Sequence, residues 1–372
     1  NPLRGQNNLQ GACDMGALPN VYPGYQSVSD EVVRSRYRDA WALAPLTHLP
    51  TNEGRTVTEL IDSCGKRDVR GLFILGEDPA MTEPDVNHAK KCLDQAEFIV
   101  LQEIFPSETS RWADVLLPGA AFAEKSGTFT NTDRRVQPVR KAIDPPGHAR
   151  PDWQILTELG KAILIEMAST PRGRYADWSY DSPAEILAEI AAVTPSYAGV
   201  SWSRVNAGER LQWPVRSAVH PGTPILHIGE FTQGRGRFHA VDHVDPAELP
   251  NEGYPLLLTT GRVLYHWHGG EMTRRSSALA AIYPQPWVEI APDDANRFGI
   301  VDGQFVRVTS KRGEQIARAA ITNRTPSGVL FGSFHFPNEG NVNNLTSGAL
   351  DPLAKIPEYK VCAVAIEPID ET

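Results

Sequence analysis

Between residues 71 and 118, three short apolar runs alternate with segments of helical spacing, and this alternation constrains the fold more than any other feature. The first run, Gly71-Leu72-Phe73-Ile74-Leu75, stops at the turn sequence Gly76-Glu77-Asp78-Pro79. Residues 97–102 (EFIVLQ) and 114–118 (DVLLP) are the second and third. Between the first two, residues 83–96 place Val86, Ala89 and Leu93 on one helical face. Unbroken apolar runs suit strands covered on both faces. Strand, helix, strand, helix, strand predicts a parallel α/β sheet with right-handed crossovers.

The pattern changes at Tyr254. Residues 255–260, 287–291, 304–310, 314–322 and 328–335 are short β-rich runs separated by Gly, Pro and Asp, with one short helix at 292–298. This reads as a separate, mostly β barrel over 254–372. Upstream, residues 1–30 read as loops and 30–41 as a short helix. Residues 151–167 form an amphipathic helix with Trp153, Leu156, Leu159, Ile163 and Met167 near one face. A helix over 182–192 has Ser182 as N-cap and Pro183 at its first position. The basic stretch 134–150 reads as a solvated face or partner surface, and 195–253 as a connector.

Gly and Pro, 30 each among 372 residues, make about a sixth of the chain, against a usual share of about 12%. Many turns between short elements follow. The net charge of −9 excludes a general nucleic-acid binder. No apolar run approaches the ~18 residues of a membrane span. Cys13, Cys64, Cys92 and Cys362 form no CxxC pair, so no cysteine signature for zinc or an iron–sulfur cluster is present, and no metal ligand is assigned. A reducing, cytoplasmic setting is expected. The chain opens at Asn1 without Met, which reads as a fragment and leaves periplasmic export open. No GxGxxG or GxxxxGK[ST] motif supports ordinary NAD or P-loop binding.

Four clusters carry chemistry. Gly76-Glu77-Asp78 sits beyond the carboxyl end of a parallel strand, where open sheets bind ligands. A carboxylate there can accept from a guanine or a ribose hydroxyl; the alternative is a turn with solvated acids. Gln102 and Asp114, at the ends of neighbouring strands, are expected to converge on the same edge. The second cluster is Thr259-Thr260-Gly261-Arg262 with His266-Trp267-His268 and Thr273-Arg274-Arg275. Its turn offers N–H groups and a guanidinium to a pyrophosphate. His266 and His268 suit packing or hydrogen bonding to a cofactor better than metal, since no third ligand is evident. The third is Arg4-Gly5-Gln6-Asn7-Asn8, where Arg4 can grip a carboxylate with two hydrogen bonds; the alternative, and the default for these residues alone, is a polar loop. The fourth is the polar loop 341–346 (NVNNLT), otherwise a turn.

In this order the clusters resemble the molybdopterin oxidoreductases, and among them the formate dehydrogenases. The resemblance rests on NPLRGQNNLQGACDMGALPNVYPGYQ at the start, LGEDP at 75–79, ETSRWADVLLPG at 108–119, EKSGTFTNTDRRVQ at 124–137, TGRVLYHWHGGEMTRR at 260–275 and NNLTS…DP…PEYKVCAVAIEP at 343–368. It implies the C-terminal half of a catalytic alpha subunit. Residues 1–120 would belong to a molybdopterin-binding α/β domain, 121–253 to a second α/β portion and connector, and 254–372 to a double-psi β-barrel. It also implies a bis-molybdopterin guanine dinucleotide carrying Mo or W, with a [4Fe–4S] cluster in the absent N-terminal half. Arg4 would hold formate, with Gln6 beside it and Gly5 against the pterin. Gly76, Glu77, Asp78, Thr82, Gln102 and Asp114 would contact one dinucleotide from the sheet. Arg262, His266, His268, Asn343 and Lys360 would contact pterin and phosphates from the barrel. The implied reaction is two-electron oxidation of formate to CO2, reversible in principle, with the upstream half and electron-transfer subunits as partners. The alternatives are another molybdopterin oxidoreductase, such as a nitrate reductase, or a non-catalytic cofactor-holding fragment. The isolated 372 residues are expected to be inactive.

Overall fold

Gly71–Leu75 forms a strand that pairs in parallel with Phe98–Glu103, Gly71 opposite Phe98 and Leu75 opposite Gln102. Val115–Pro118 adds the third strand. The computed structural model describes residues 6–43, 49–166 and 178–369. It divides into two units, residues 57–116 with 241–372, and residues 1–56 with 117–240.

In the first of these units, helices Val57–Gly65 and Val86–Leu93 cover one face of the sheet. Ile61, Ala89, Cys92 and Leu93 pack with Ile99 from the middle strand, and Leu72 and Ile74 lie against them. The other face differs from the expectation of double burial. Phe73, Leu75, Phe98 and Leu116 are all exposed. An apolar run limits what a strand can bury, and here only every second residue meets a helix.

The barrel closes with six strands in the order Trp287–Ile290, Glu314–Ile321, Phe305–Thr309, Cys362–Pro368, Leu256–Gly261 and Val329–Ser333. Trp287–Ile290 runs parallel to Glu314–Ile321, and Leu256–Gly261 parallel to Val329–Ser333; the other pairs are antiparallel. Alternate residues point inward, so Leu256, Leu258, Val288, Ile290, Val306, Val308 and Leu330 fill the core. Helix Pro292–Phe298 starts on Pro292 and stops at Gly299, whose φ of 68° is left-handed. Buried Asp294 accepts from Ser327 Oγ at 3.0 Å and from the Gly328 N–H at 2.7 Å, tying that helix to the loop before Val329–Ser333. Cys362–Pro368 and the short helix Ser277–Ile282 were not legible as elements. The first buries Cys362, Ala363 and Val364 in succession and so lacks alternation.

In the second unit, helix Leu9–Asp14 ends on a carboxylate with no solvent exposure. Asp14 accepts from Tyr197 OH at 2.6 Å, Gln10 Nε2 at 2.6 Å and Tyr25 OH at 2.9 Å. Three donors satisfy a charge that would otherwise be costly to bury. Asp30 caps helix Glu31–Ala40, and Ser182 caps Pro183–Val193 by accepting from the Glu185 N–H. Three sequence readings are corrected here. Arg135–Val139, inside the stretch 134–150 read as a solvated face or partner surface, forms a strand that pairs antiparallel with Gly127–Thr130 on one side and Leu211–Gln212 on the other. Tyr197, Val200, Val205, Leu211 and Val215 are buried core, so the connector begins later than 195. Helix Asp152–Glu166 buries Ile155 and Thr157, whereas Leu156 and Ile163 are exposed; Met167 lies outside the described residues. Spacing tells which side chains share a face, but not which face meets the core.

Candidate cofactor site

The turn after Gly71–Leu75 places the first part of the site. Gly76 has φ +66° and donates its N–H to the Gln102 carbonyl at 3.0 Å. Nothing lies within 4 Å of where a Cβ would stand, so the backbone angle, not space, calls for glycine. The chain then enters the single turn Pro79–Thr82, where the Asp78 carbonyl accepts from the Met81 and Thr82 N–H groups, each at 2.9 Å. The Asp78 side chain is buried. It accepts from the Thr109 N–H at 2.8 Å, Thr109 Oγ1 at 2.6 Å and the Glu108 N–H at 3.2 Å.

The barrel supplies the opposite wall within the same unit. Asn343 Nδ2 reaches the carbonyls of Met81 at 3.2 Å and Thr82 at 3.3 Å, and Tyr359 OH donates to the Thr82 carbonyl at 2.9 Å. Lys360 Nζ donates to the Thr260 carbonyl at 2.5 Å. Arg262 stands 3.4 Å from His268 Nδ1. Both cations lie over the Phe334 ring, at 5.8 Å for Arg262 and 5.7 Å for Lys360. These residues enclose a cavity of about 300 Å³, with Gly269 on its wall. Burial, then the Arg262 charge, pushes Lys360 and His268 below their ordinary values. Among the described residues no carboxylate pairs with Arg262 or Lys360. Two crowded cations beside amide and hydroxyl groups suit an anion with a planar neighbour.

Beside the turn lies an acidic group. Burial, then the charges of Glu77 and Asp62, pushes Glu83 up to about 7. Glu103 also rises to about 7, through burial and then Asp78, Glu271 and Glu77. Glu77, at the surface but crowded by protein around its carboxyl, and Glu271 shift upward as well. Glu271 Oε1 and Arg274 Nε are buried without a hydrogen-bond partner. An orphan acceptor and an orphan donor fit a base edge that offers both, as guanine does.

The structure therefore brings Thr82, Arg262, His268, Asn343 and Lys360 to one cavity, with Gly76, Glu77 and Gln102 at the carboxyl edge of the sheet. Asp78 is held inward. His266 does not line the cavity. It is buried, with Nε2 2.7 Å from the Tyr283 carbonyl and Nδ1 3.1 Å from Thr273 Oγ1. Asp114 does not converge with Gln102. Its N–H and carboxylate bond to Ile99, at the amino end of the same strand, three residues or about 10 Å from Gln102. The cause is strand register, which apolar runs do not reveal. Gln6 is half-buried in the other unit, and Arg4 and Gly5 lie outside the described residues. Sequence reasoning missed Phe334, Tyr359, Glu83, Glu103, Glu271 and His335. His335 donates Nδ1–H to the His268 carbonyl at 2.5 Å and accepts the Val263 N–H at 2.9 Å. Burial pushes it down to about 4, so it supports this loop as a neutral ring. Tyr359 beside Lys360 was the one signal available in the chain; burial of the acids leaves none.

The cavity between the parallel sheet edge and the barrel has a lining that suits an anion of the phosphate or nucleotide class. Residues 2–162 match the family description Molybdopterin oxidoreductase, and residues 256–363 match the Molydopterin dinucleotide binding domain. The chain belongs to the molybdopterin oxidoreductase family. It is 47% identical to the F420-dependent formate dehydrogenase subunit alpha of Methanocaldococcus jannaschii, over 99% of this chain and 52% of that protein. It is 35% identical to formate dehydrogenase H of Escherichia coli, over 99% of this chain and 50% of that one. The acetylene hydratase from Pelobacter acetylenicus shares the fold, with a TM-score of 0.59 and 16% identity, over 85% of this chain and 47% of that one. The chain spans about half the length of the curated relatives it matches.

Proposed function

We propose that this chain holds a bis-molybdopterin guanine dinucleotide for a formate dehydrogenase and supplies the residues that orient formate. The observation that carries the reading is the cavity where Arg262 and Lys360 face Thr82, Asn343 and Tyr359 with no carboxylate partner among the described residues. The orphaned Glu271 Oε1 and Arg274 Nε beside the Gly76 turn add a donor–acceptor pair fitted to the guanine. In this reading 254–372 is the dinucleotide-binding domain. Arg262 and Lys360 bind phosphate oxygens, His268 hydrogen-bonds the pterin side, and Thr82 and Asn343 hold the cavity wall. Glu77 takes the guanine edge, and Asp78 fixes the turn on which Glu77 stands. Arg4 orients formate through two charge-assisted hydrogen bonds, with Gln6 and Gly5 beside it. When bound, the Mo or W centre supplies the two-electron redox chemistry that turns formate into CO2 and a proton.

We further propose that the electrons leave through a [4Fe–4S] cluster held outside these 372 residues and through electron-transfer subunits. A reducing, cytoplasmic setting is supported by four buried, unbridged cysteines. No helix among the described residues is long and apolar enough to cross a membrane.

The test is made on the holoenzyme. Arg262→Ala with Lys360→Ala should lower pterin and metal content, whereas Arg4→Lys should keep both and lose most formate turnover, because one ammonium cannot replace a two-pronged guanidinium. Full cofactor content in the double variant removes the cavity assignment. Near-normal kcat/KM in Arg4→Lys, or nitrate turnover exceeding formate oxidation, removes the formate assignment.

A further inference from the structure

On the helix side of the sheet, away from the cavity residues, three metal-binding side-chain types converge. His88 and Cys92 are four residues apart on helix Val86–Leu93 and so share a face. Asp62 comes from helix Val57–Gly65, which packs beside it. His88 Nε2 is 2.9 Å from Asp62 Oδ1 and 3.4 Å from Cys92 Sγ. All three ligand atoms lie within 4.8 Å of one another. They border an open cleft of about 330 Å³ that also meets Lys66 and Gln95.

The direction of the imidazole decides between readings. In a nucleophile–base–acid relay, the two ring nitrogens face different partners. Here a single nitrogen faces both the sulfur and the carboxylate oxygen. A hydrogen bond from Nε2 satisfies one of them, and the other lone-pair donor is left pointing at the same place. With Nε2 unprotonated, three ligand atoms gathered within 4.8 Å of one another are the arrangement a cation requires. Burial is graded to match: Cys92 is buried, Asp62 half-buried and His88 exposed, so an ion can enter from water while sulfur forms the floor.

We propose that Asp62, His88 and Cys92 form a binding site for a single divalent cation of the zinc class, clipping helix Val57–Gly65 to helix Val86–Leu93. Thiolate, imidazole and carboxylate together are a borderline-soft set, which suits Zn²⁺ or Co²⁺ and not Mg²⁺ or Ca²⁺. The charges of Cys92 and Asp62 neutralise such an ion. The cleft leaves a fourth position for water.

The test uses the untagged full chain, stripped with a chelator and titrated with Zn²⁺ and Co²⁺ against a chromophoric competitor. About one ion per chain should bind, and Co²⁺ should give a sulfur-to-metal charge-transfer band. That band should vanish in Cys92→Ser, and affinity should fall about tenfold or more in His88→Gln or Asp62→Asn. Zn²⁺ should raise the Tm of the unmodified chain and not of His88→Gln. His88 is exposed, so its variant tests the site without threatening the fold. Absence of stoichiometric binding, or a charge-transfer band that survives in folded Cys92→Ser, overturns the proposal.

Discussion

At the scale of single residues, the acids beside the turn behave least like their sequence. Glu83 is 7% exposed and rises from the ordinary 4.5 to about 7, chiefly through burial. The folded chain therefore holds this proton to higher pH than the unfolded chain does. Its contribution to stability is fully present below about pH 4.5 and is lost as pH rises through about 7. A shift of that size corresponds to on the order of 3 kcal/mol. Glu83→Gln should accordingly be more stable than the parent at pH 8 and little changed at pH 4.5, measured by urea unfolding. Parallel losses in parent and variant between those pH values would remove Glu83 as the cause. The histidines make a matching point about legibility. His266 and His268 look alike two residues apart, yet the first is closed off by Tyr283 and Thr273 while the second lines the cavity. Direction of a side chain in a loop is set by contacts distant in sequence, here Tyr283 and His335. Asp78 likewise was legible as a turn carboxylate, but its attachment to the Thr109 N–H, 31 positions away, was not.

At the scale of elements, legibility followed local chemistry. Gly71–Leu75 and Pro292–Phe298 stand where their apolar run and their Pro-to-Gly boundaries place them. The hairpin Gly127–Thr130 with Arg135–Val139 was missed because its positions are mostly half-buried, with only Thr130 and Val136 fully covered, and charge masks the period. Helix Pro292–Phe298 offers a clean measurement of a boundary. Gly299 has φ 68° and open space around its Cβ position, so substitution there meets a conformational penalty and no clash. Gly299→Ala should lower stability by about 1 kcal/mol, and Gly299→Asn by less, because Asn enters the left-handed region more readily. Thermal unfolding reads the difference. Equal stability of Gly299→Ala and parent would show that the helix end relaxes to another conformation.

At the scale of the whole molecule, a net charge of −9 opposes the anion that the cavity residues suit. Distance decides which prevails. A unit charge pair at ~4 Å is worth about 1 kcal/mol in water and about 4 kcal/mol at a protein surface of intermediate dielectric. A carboxylate farther away than the Debye length, ~8 Å at physiological ionic strength, is largely screened. Arg262 and Lys360 stand on the cavity wall and so act on a phosphate there more strongly than acids beyond that length, while Glu77 and Glu83, whose charges reach Tyr359, oppose it from nearby. The sign of a salt titration follows. With GDP as a probe on the isolated chain, affinity should fall as salt increases, because the governing attraction is what salt screens. It should also fall in Lys360→Gln, with a shallower dependence on salt, since one of the two cations is gone. If the overall charge governed instead, salt would strengthen binding by relieving repulsion, and Lys360→Gln would leave the slope unchanged. Isothermal titration at a series of ionic strengths separates the two signs without any need for the redox centre.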